Sequence, residues 1–411
     1  MATAAALLLA SCSTLSVDET EPTRGSARVE DRLLVRIRTG LAVLDPSTGT
    51  IVADAPRAIT SPDSSLLFSV SGGKSPSSVT TIAASTGRAL HRVAAPKGLR
   101  PGVASAGGEL LAFAPPHEEG ATPWLPAGKR RTTIAVVSAD GSEETVTYDL
   151  EGNFELEGFS TDLRQLFLLQ YTPAMNPTRY GLRRLQLGSG KVRRIAADKQ
   201  RAPGSMRGTG RIAAFSPSGH ELYTLYTQQG PNYAHGGSGA PEPGDVYAFV
   251  HLLNLEGGWT HCIDLRAPFG TGSVTTHAMA LSPDGERLFV ADPSSGGLAV
   301  IAPLETKVLR SVTLDLEALT RGRASAAVGG DGTLYLAGGS EVLVIDGQTL
   351  AIVERWKTRQ PVSGVGVSSD GRRLYAALPG KLAVLDASTG ARTGSLRVPG
   401  IEGFVEVIPA D

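Results

Sequence analysis

Three observations predict an all-β fold, a β-propeller of about eight four-stranded blades. A unit a few tens of residues long recurs along most of the chain, and periods of that size mark stacked supersecondary units. Each copy holds four short runs of β-branched and apolar residues, separated by Asp-Gly or Thr-Gly turns whose central residues favour positive φ. Four antiparallel strands per repeat make one blade. Finally, the first copy opens on outer strands with no inner strand before them, and the last residues form an inner strand with no outer strands after it.

Composition sets the bounds. A chain of 411 residues, 41% hydrophobic and 19% charged, can bury a sizeable core. With 39 Lys+Arg against 40 Asp+Glu, it has no general electrostatic pull toward nucleic acid, and none is expected as a partner. Two cysteines, Cys12 and Cys262, make neither a disulfide framework nor a thiolate zinc cluster.

Residues 1–13 read MATAAALLLASCS. The run Leu9, Ala10, Ser11, Cys12 resembles the lipobox at which bacterial lipoprotein signal peptides are cut and the new terminal cysteine is acylated. The resemblance implies a signal segment at 1–12, lipidation of Cys12, and an extracytoplasmic, membrane-anchored protein, with secretion as the alternative. No Lys or Arg precedes Cys12, so we expect the natural start to lie further upstream. Residues 13–31, rich in Ser, Thr, Glu and Pro, read as a flexible tether, and 32–411 as the propeller domain.

The first outer strands are RLLVRI, GLAVLDPSTG and TIVADA within 32–55. The inner-strand signal then falls at 58–62, 102–106, 157–161, 212–217, 278–283, 326–330, 365–369 and 404–408. The clearest copies are MALSPDGERLFVAD with GLAVIAPLETKVLRSVTL, and VGVSSDGRRLYAAL with GKLAVLDASTGARTGSLRV. The carboxyl-terminal strand is expected to complete the amino-terminal blade, which closes the ring and removes free sheet edges. Seven blades is the alternative, should the weak inner strand at Gly102 or the closure fail. SPDGERLFVAD followed by LAVI resembles the YVTN-type repeat of secreted β-propellers, related in pattern to WD40 repeats. That resemblance covers nearly all of 32–411 and implies the fold; it allows binding proteins, enzyme subunits and lactonases.

Consecutive strands of a blade run in opposite directions, so loops joining second to third strands share a face with the blade-to-blade segments. Three long insertions, 115–130, 172–179 and 228–245, occupy such loops in consecutive blades, where the regular copies need about four residues. They should gather over one sector, with the segment 267–276 and His277 beside the central channel. The candidate ligand-binding residues are therefore His117, Glu118, Trp124, Tyr171, Tyr180, Asn232, Tyr233, His235 and His277, a mixture of aromatic and polar groups suited to a small ligand or a peptide. His117, His235 and His277 are the weak candidates for zinc or copper, but no His-x-x-x-His or His-Glu-x-x-His pair supports them, and no cofactor is expected. The adjacent His261 and Cys262 point to opposite faces of a strand, and Cys262 reads as a small buried hydrophobe.

No Gly-x-Ser-x-Gly elbow occurs, and Gly236, Gly237 and Gly239 do not link a strand to a helix as a phosphate cradle would. Asp284, Asp331 and Asp370 recur at equivalent positions and read as turn formers. Arg183, Arg184, Arg193 and Arg194 read as a solvated basic face. The functional expectation is a non-catalytic module that binds a small ligand or an envelope protein. Its alternative is a propeller enzyme, a lactonase-like hydrolase or a subunit of a periplasmic oxidoreductase, using the histidine sector.

Overall fold

The computed structural model describes residues 31–72, 77–116, 126–197, 206, 210–229, 246–267, 269–270 and 272–409. They form eight antiparallel sheets around a central axis, seven of four strands and one of five. The expected closure is present. Ile401–Pro409 is the inner strand of blade 1 and pairs antiparallel with Asp31–Ile37, with Arg32 opposite Ile408 and Leu34 opposite Glu406. The Asp31 carboxylate adds a second fastening, accepting 2.6 Å from Ser369 Oγ on blade 8.

Blades 2 to 8 follow in chain order, with inner strands Ile59–Thr60, Arg100–Ala104, Asn153–Phe159, Gly210–Phe215, Ala278–Leu281, Ser325–Val328 and Gly364–Val367. The weak signal at Gly102 is thus a real blade, because its partner strand Leu110–Ala114 supplies the apolar run that the inner strand lacks. Blade 5 carries one unexpected strand: Ala196–Ala197 pairs in parallel with Trp259 and Thr260 on its outer edge.

Packing between blades explains why the middle strands read as unbroken apolar runs. Period-two alternation along Thr333–Gly338 sends Leu334 and Leu336 into the core shared with blade 6, and Tyr335 and Ala337 into the core shared with blade 8. Both faces are covered, and Leu334, Leu336, Leu343 and Ile345 are fully buried. Each such side chain contributes about 1.5–3 kcal/mol by leaving water.

The turns behave as read. Ser282 Oγ donates to Asp284 and accepts 2.9 Å from Arg287 N, while Gly285 takes φ 76. Ser368, Asp370 and Arg373 repeat the arrangement, and Asp331 caps Thr333 N at 2.9 Å. Hydrogen bonds to Ser282 and Ser368 hold the carboxyls of Asp284 and Asp370 below the usual carboxylate range, against partial burial. Among the described residues the helices are two 3-10 turns, Val274–Thr276 and Glu317–Arg321, and no helix is long and apolar enough to cross a membrane.

Candidate functional site

The second-to-third loops and the blade-to-blade segments bond to one another, which puts them on one face. Leu314 N donates to Gly296 O at 2.8 Å, Val362 N to Gly339 O at 2.8 Å, and Gln228 N to Gly270 O at 2.8 Å. We call this the loop face; the Asp turns lie on the other.

On the loop face, the described parts of 115–130 and 172–179 meet. Lys129 N donates to Ala174 O at 2.9 Å, and a Cβ on Gly128 would stand 1.9 Å from the Met175 carbonyl oxygen, so only glycine permits this approach. Asn153, 1% exposed at the start of the blade 4 inner strand, ties the two loops together: its Nδ2 donates 3.0 Å to Ala127 O and 3.2 Å to Ala174 O. Beneath it, Thr132 Oγ1 donates 2.8 Å to Gly152 O and accepts 3.1 Å from Phe154 N. Buried donors and acceptors paired in this way favour one geometry, because breaking the bonds leaves polar groups unpaired out of water.

Beside these contacts an open cavity of ≈ 380 Å³ lies between blades 3 and 4, lined by Pro115, Pro116 and Pro126, by Phe154 and Leu156, and by Arg100, Lys129, Asn153 and Glu155. Lys129 Nζ reaches Pro116 O at 3.4 Å, and the Tyr171 hydroxyl donates to Glu155 Oε2. An apolar wall with a few charged groups at its rim suits a small ligand with both kinds of surface.

Of the residues singled out in the sequence, His117, Glu118, Trp124, Asn232, Tyr233, His235 and Cys12 lie outside the described residues. Tyr171 and Tyr180 are brought together, with ring centroids 5.6 Å apart, and the row continues through Tyr226 and Phe249. All four rings are 3% exposed or less, so they pack between blades 4 and 5 beneath the loop face and do not line its cavity. Cys262 is a buried cysteine outside any disulfide in the same cluster, and His251 meets Tyr226 edge to face. Burial pushes the His251 ring down to about 4, with His261 adding to the shift.

His277 sits beside the central channel as its position implied. Its Nδ1 faces Ser273 O at 2.8 Å, and its Nε2 lies 3.0 Å from Asp292 Oδ2, with both side chains fully enclosed. Burial works against ionisation of Asp292, yet His277, Ser294 and the Gly270 N–H, 2.8 Å away, hold its carboxyl at about 2. The pair clamps the 267–277 segment onto blade 6. Nε2 approaches Asp292 but makes no well-aligned hydrogen bond, and among the described residues no group of three His, Cys, Asp or Glu side chains could hold a metal. The four arginines of blade 4 lie in register on its outer strands, Arg183 opposite Arg194 and Arg184 opposite Arg193.

The fold and this loop face define a class: an eight-bladed propeller with one elaborated face. Solved structures share the fold. Apo AztD from Citrobacter koseri is similar with a TM-score of 0.57 at 14% identity, covering 92% of this chain and 98% of that one. A second crystal structure of Citrobacter koseri AztD gives 0.56 at 13% identity, covering 93% and 98%. Dihydro-heme d1 dehydrogenase NirN in complex with DHE gives 0.53 at 16% identity, covering 94% of this chain and 77% of that one. At these identities the likeness establishes the fold alone. No protein-family model matches the sequence, and no curated protein matches it.

Proposed function

We propose that this protein is an extracytoplasmic propeller of the YVTN-repeat type, anchored through acyl chains on Cys12, whose loop face binds a small ligand or an envelope protein without chemistry of its own. The observation that carries this reading is the joining of two long loops beside the ≈ 380 Å³ cavity by buried Asn153. Long loops that merely decorate a surface have no need of a buried polar bridge between them, whereas a recognition site has to be held in one shape.

The test is a photo-crosslinking amino acid placed at Pro116 in the full-length, exported protein, with a second at Glu286 on the opposite face as control. A small molecule or envelope protein captured at position 116 and lost in Asn153→Ala supports the reading. Equal capture from both positions, or none from position 116, overturns it. Radiolabelled palmitate incorporated by the wild type and not by Cys12→Ala checks the anchor.

A further inference from the structure

The turns opposite the loop face carry Asp140, Asp162, Asp284, Asp346, Asp370 and Asp386, each held ionised by hydrogen bonds from its own turn, with Arg164, Arg287, Arg372 and Arg373 beside them. The loop face carries Arg36, Arg38, Arg100, Lys129, Arg323 and Arg359 on its loops and strand ends, while Asp315, Glu317 and Glu341 gather around a pocket of their own. At the centre of that face the channel opens into a second cavity of ≈ 340 Å³, walled by the inner strands of blades 5 to 8 and blade 1. It does not share a lining residue with the cavity of blades 3 and 4.

This second cavity is built for negative charge. Its lining contains Arg36 and Arg323 and no Asp or Glu. Both arginines are exposed, and neither guanidinium makes a hydrogen bond or ion pair among the described residues. Arg36 reaches the axis because its cross-strand partner is Gly403, which puts no side chain between it and the channel. Ser325 Oγ accepts 3.1 Å from Val365 N, which leaves its proton free to donate, and Thr275 and Ser363 supply further hydroxyls. Toward the other end of the channel the sign reverses: Glu406 lies beside Ser64 and Asp63, and the surrounding walls push its carboxyl upward.

The rest of the wall is apolar. Phe404 lies against Gly364 and Gly366, where a Cβ on Gly366 would stand 2.0 Å from its ring, and it stacks on Tyr375 at 6.3 Å with planes 5° apart. Met279 and Val405 also line the cavity, and Val405 is 41% exposed. Inorganic phosphate alone would leave this wall in water.

We infer that the loop-face mouth of the central channel binds a small organic anion, its charged group between Arg36 and Arg323 and its apolar body on Phe404, Met279 and Val405. The arginine fork suits a carboxylate, a sulfonate or a phosphate ester.

Calorimetric titration of the full chain with 2-naphthoate tests this, alongside 2-naphthylmethanol, 2-naphthyl phosphate and inorganic phosphate. The expected result is one site per chain for 2-naphthoate or 2-naphthyl phosphate, with the preferred one naming the headgroup, and at least tenfold weaker binding of the neutral alcohol and of inorganic phosphate. Arg36→Gln and Arg323→Gln should each weaken the aryl anion tenfold or more, and Met279→Glu, which adds a negative charge to the wall, should abolish binding. Lys129→Ala should leave the affinity unchanged. Both arginines are exposed, so their variants should keep the wild-type melting temperature, and Arg36→Lys should recover part of the affinity. The inference is overturned if neither aryl anion binds, if the alcohol binds equally well, if both arginine variants bind like the wild type, or if Lys129→Ala removes binding, which would move the site to blades 3 and 4.

Discussion

Blades 6 to 8 and blades 3 to 5 share one strand plan and differ in how they use it. In the former, second-to-third loops shrink to residues 293–296, 339–340 and 379–380, and the cores between sheets are mostly Ala, Val and Leu with single aromatics such as Phe289 and Tyr335. In the latter the same loops lengthen, and the core beneath takes in Tyr171, Tyr180, Tyr226 and Phe249, together with enclosed His251, Asn153 and Thr132. The regular blades gain their stability from repetition. The elaborated blades mix packing with directional hydrogen bonds, which specify the loop positions more narrowly than apolar contact can.

The largest expected effect concerns what both halves share. Deleting residues 401–411 removes the inner strand of blade 1 and should abolish cooperative thermal unfolding across the entire ring; a truncated chain with an unchanged melting temperature contradicts closure. Next comes Tyr226→Ala, expected to cost about 3–5 kcal/mol. It should also speed proteolysis within residues 172–179, whereas Leu336→Ala in blade 7 should lower stability by a similar amount and leave that cleavage rate alone. Equal cleavage in both variants would erase the distinction between the two halves.

A smaller effect depends on pH. Folding lowers the His251 value from 6.5 to about 4, so between those values the unfolded chain binds the extra proton. Stability from this group is full above about 6.5 and is lost as pH falls toward 4, by about 3 kcal/mol in all. His251→Phe should flatten the denaturation midpoint between pH 6.5 and 4, and a variant that keeps the wild-type slope would assign it elsewhere. Smallest is Asp284→Ala in an exposed turn of blade 6, about 1 kcal/mol or less by urea denaturation, because each turn closes only its own hairpin.

The sequence made the ring legible because blade packing demands period-two apolar runs and the turns demand Gly at positive φ, as at Gly285 and Gly371. Blade closure followed from counting unmatched strands. The two-residue strand Ala196–Ala197 was not legible, since so short a segment carries no alternation. His277 was found from its place between blades, but its partner Asp292 ends the run LFVAD and reads as one more turn residue. One signal was available: the equivalent positions in blades 7 and 8 are Gly338 and Leu378, so an acid there breaks the repeat. Arg36 and Arg323 share no motif and line one cavity only because the chain closes on itself. Tyr171 and Tyr180 stand at strand ends beside a long loop, and periodicity does not say that a neighbouring blade covers them.

Pairing of the last strand with the first has a directional consequence. Asp31 lies where the inner strand of blade 1 finishes, beside Ser369 in the acidic turn of blade 8. Asp31 therefore stands on the face opposite the long loops. A leash attached there would turn the loop face and both of its cavities away from the anchoring surface, toward whatever diffuses past.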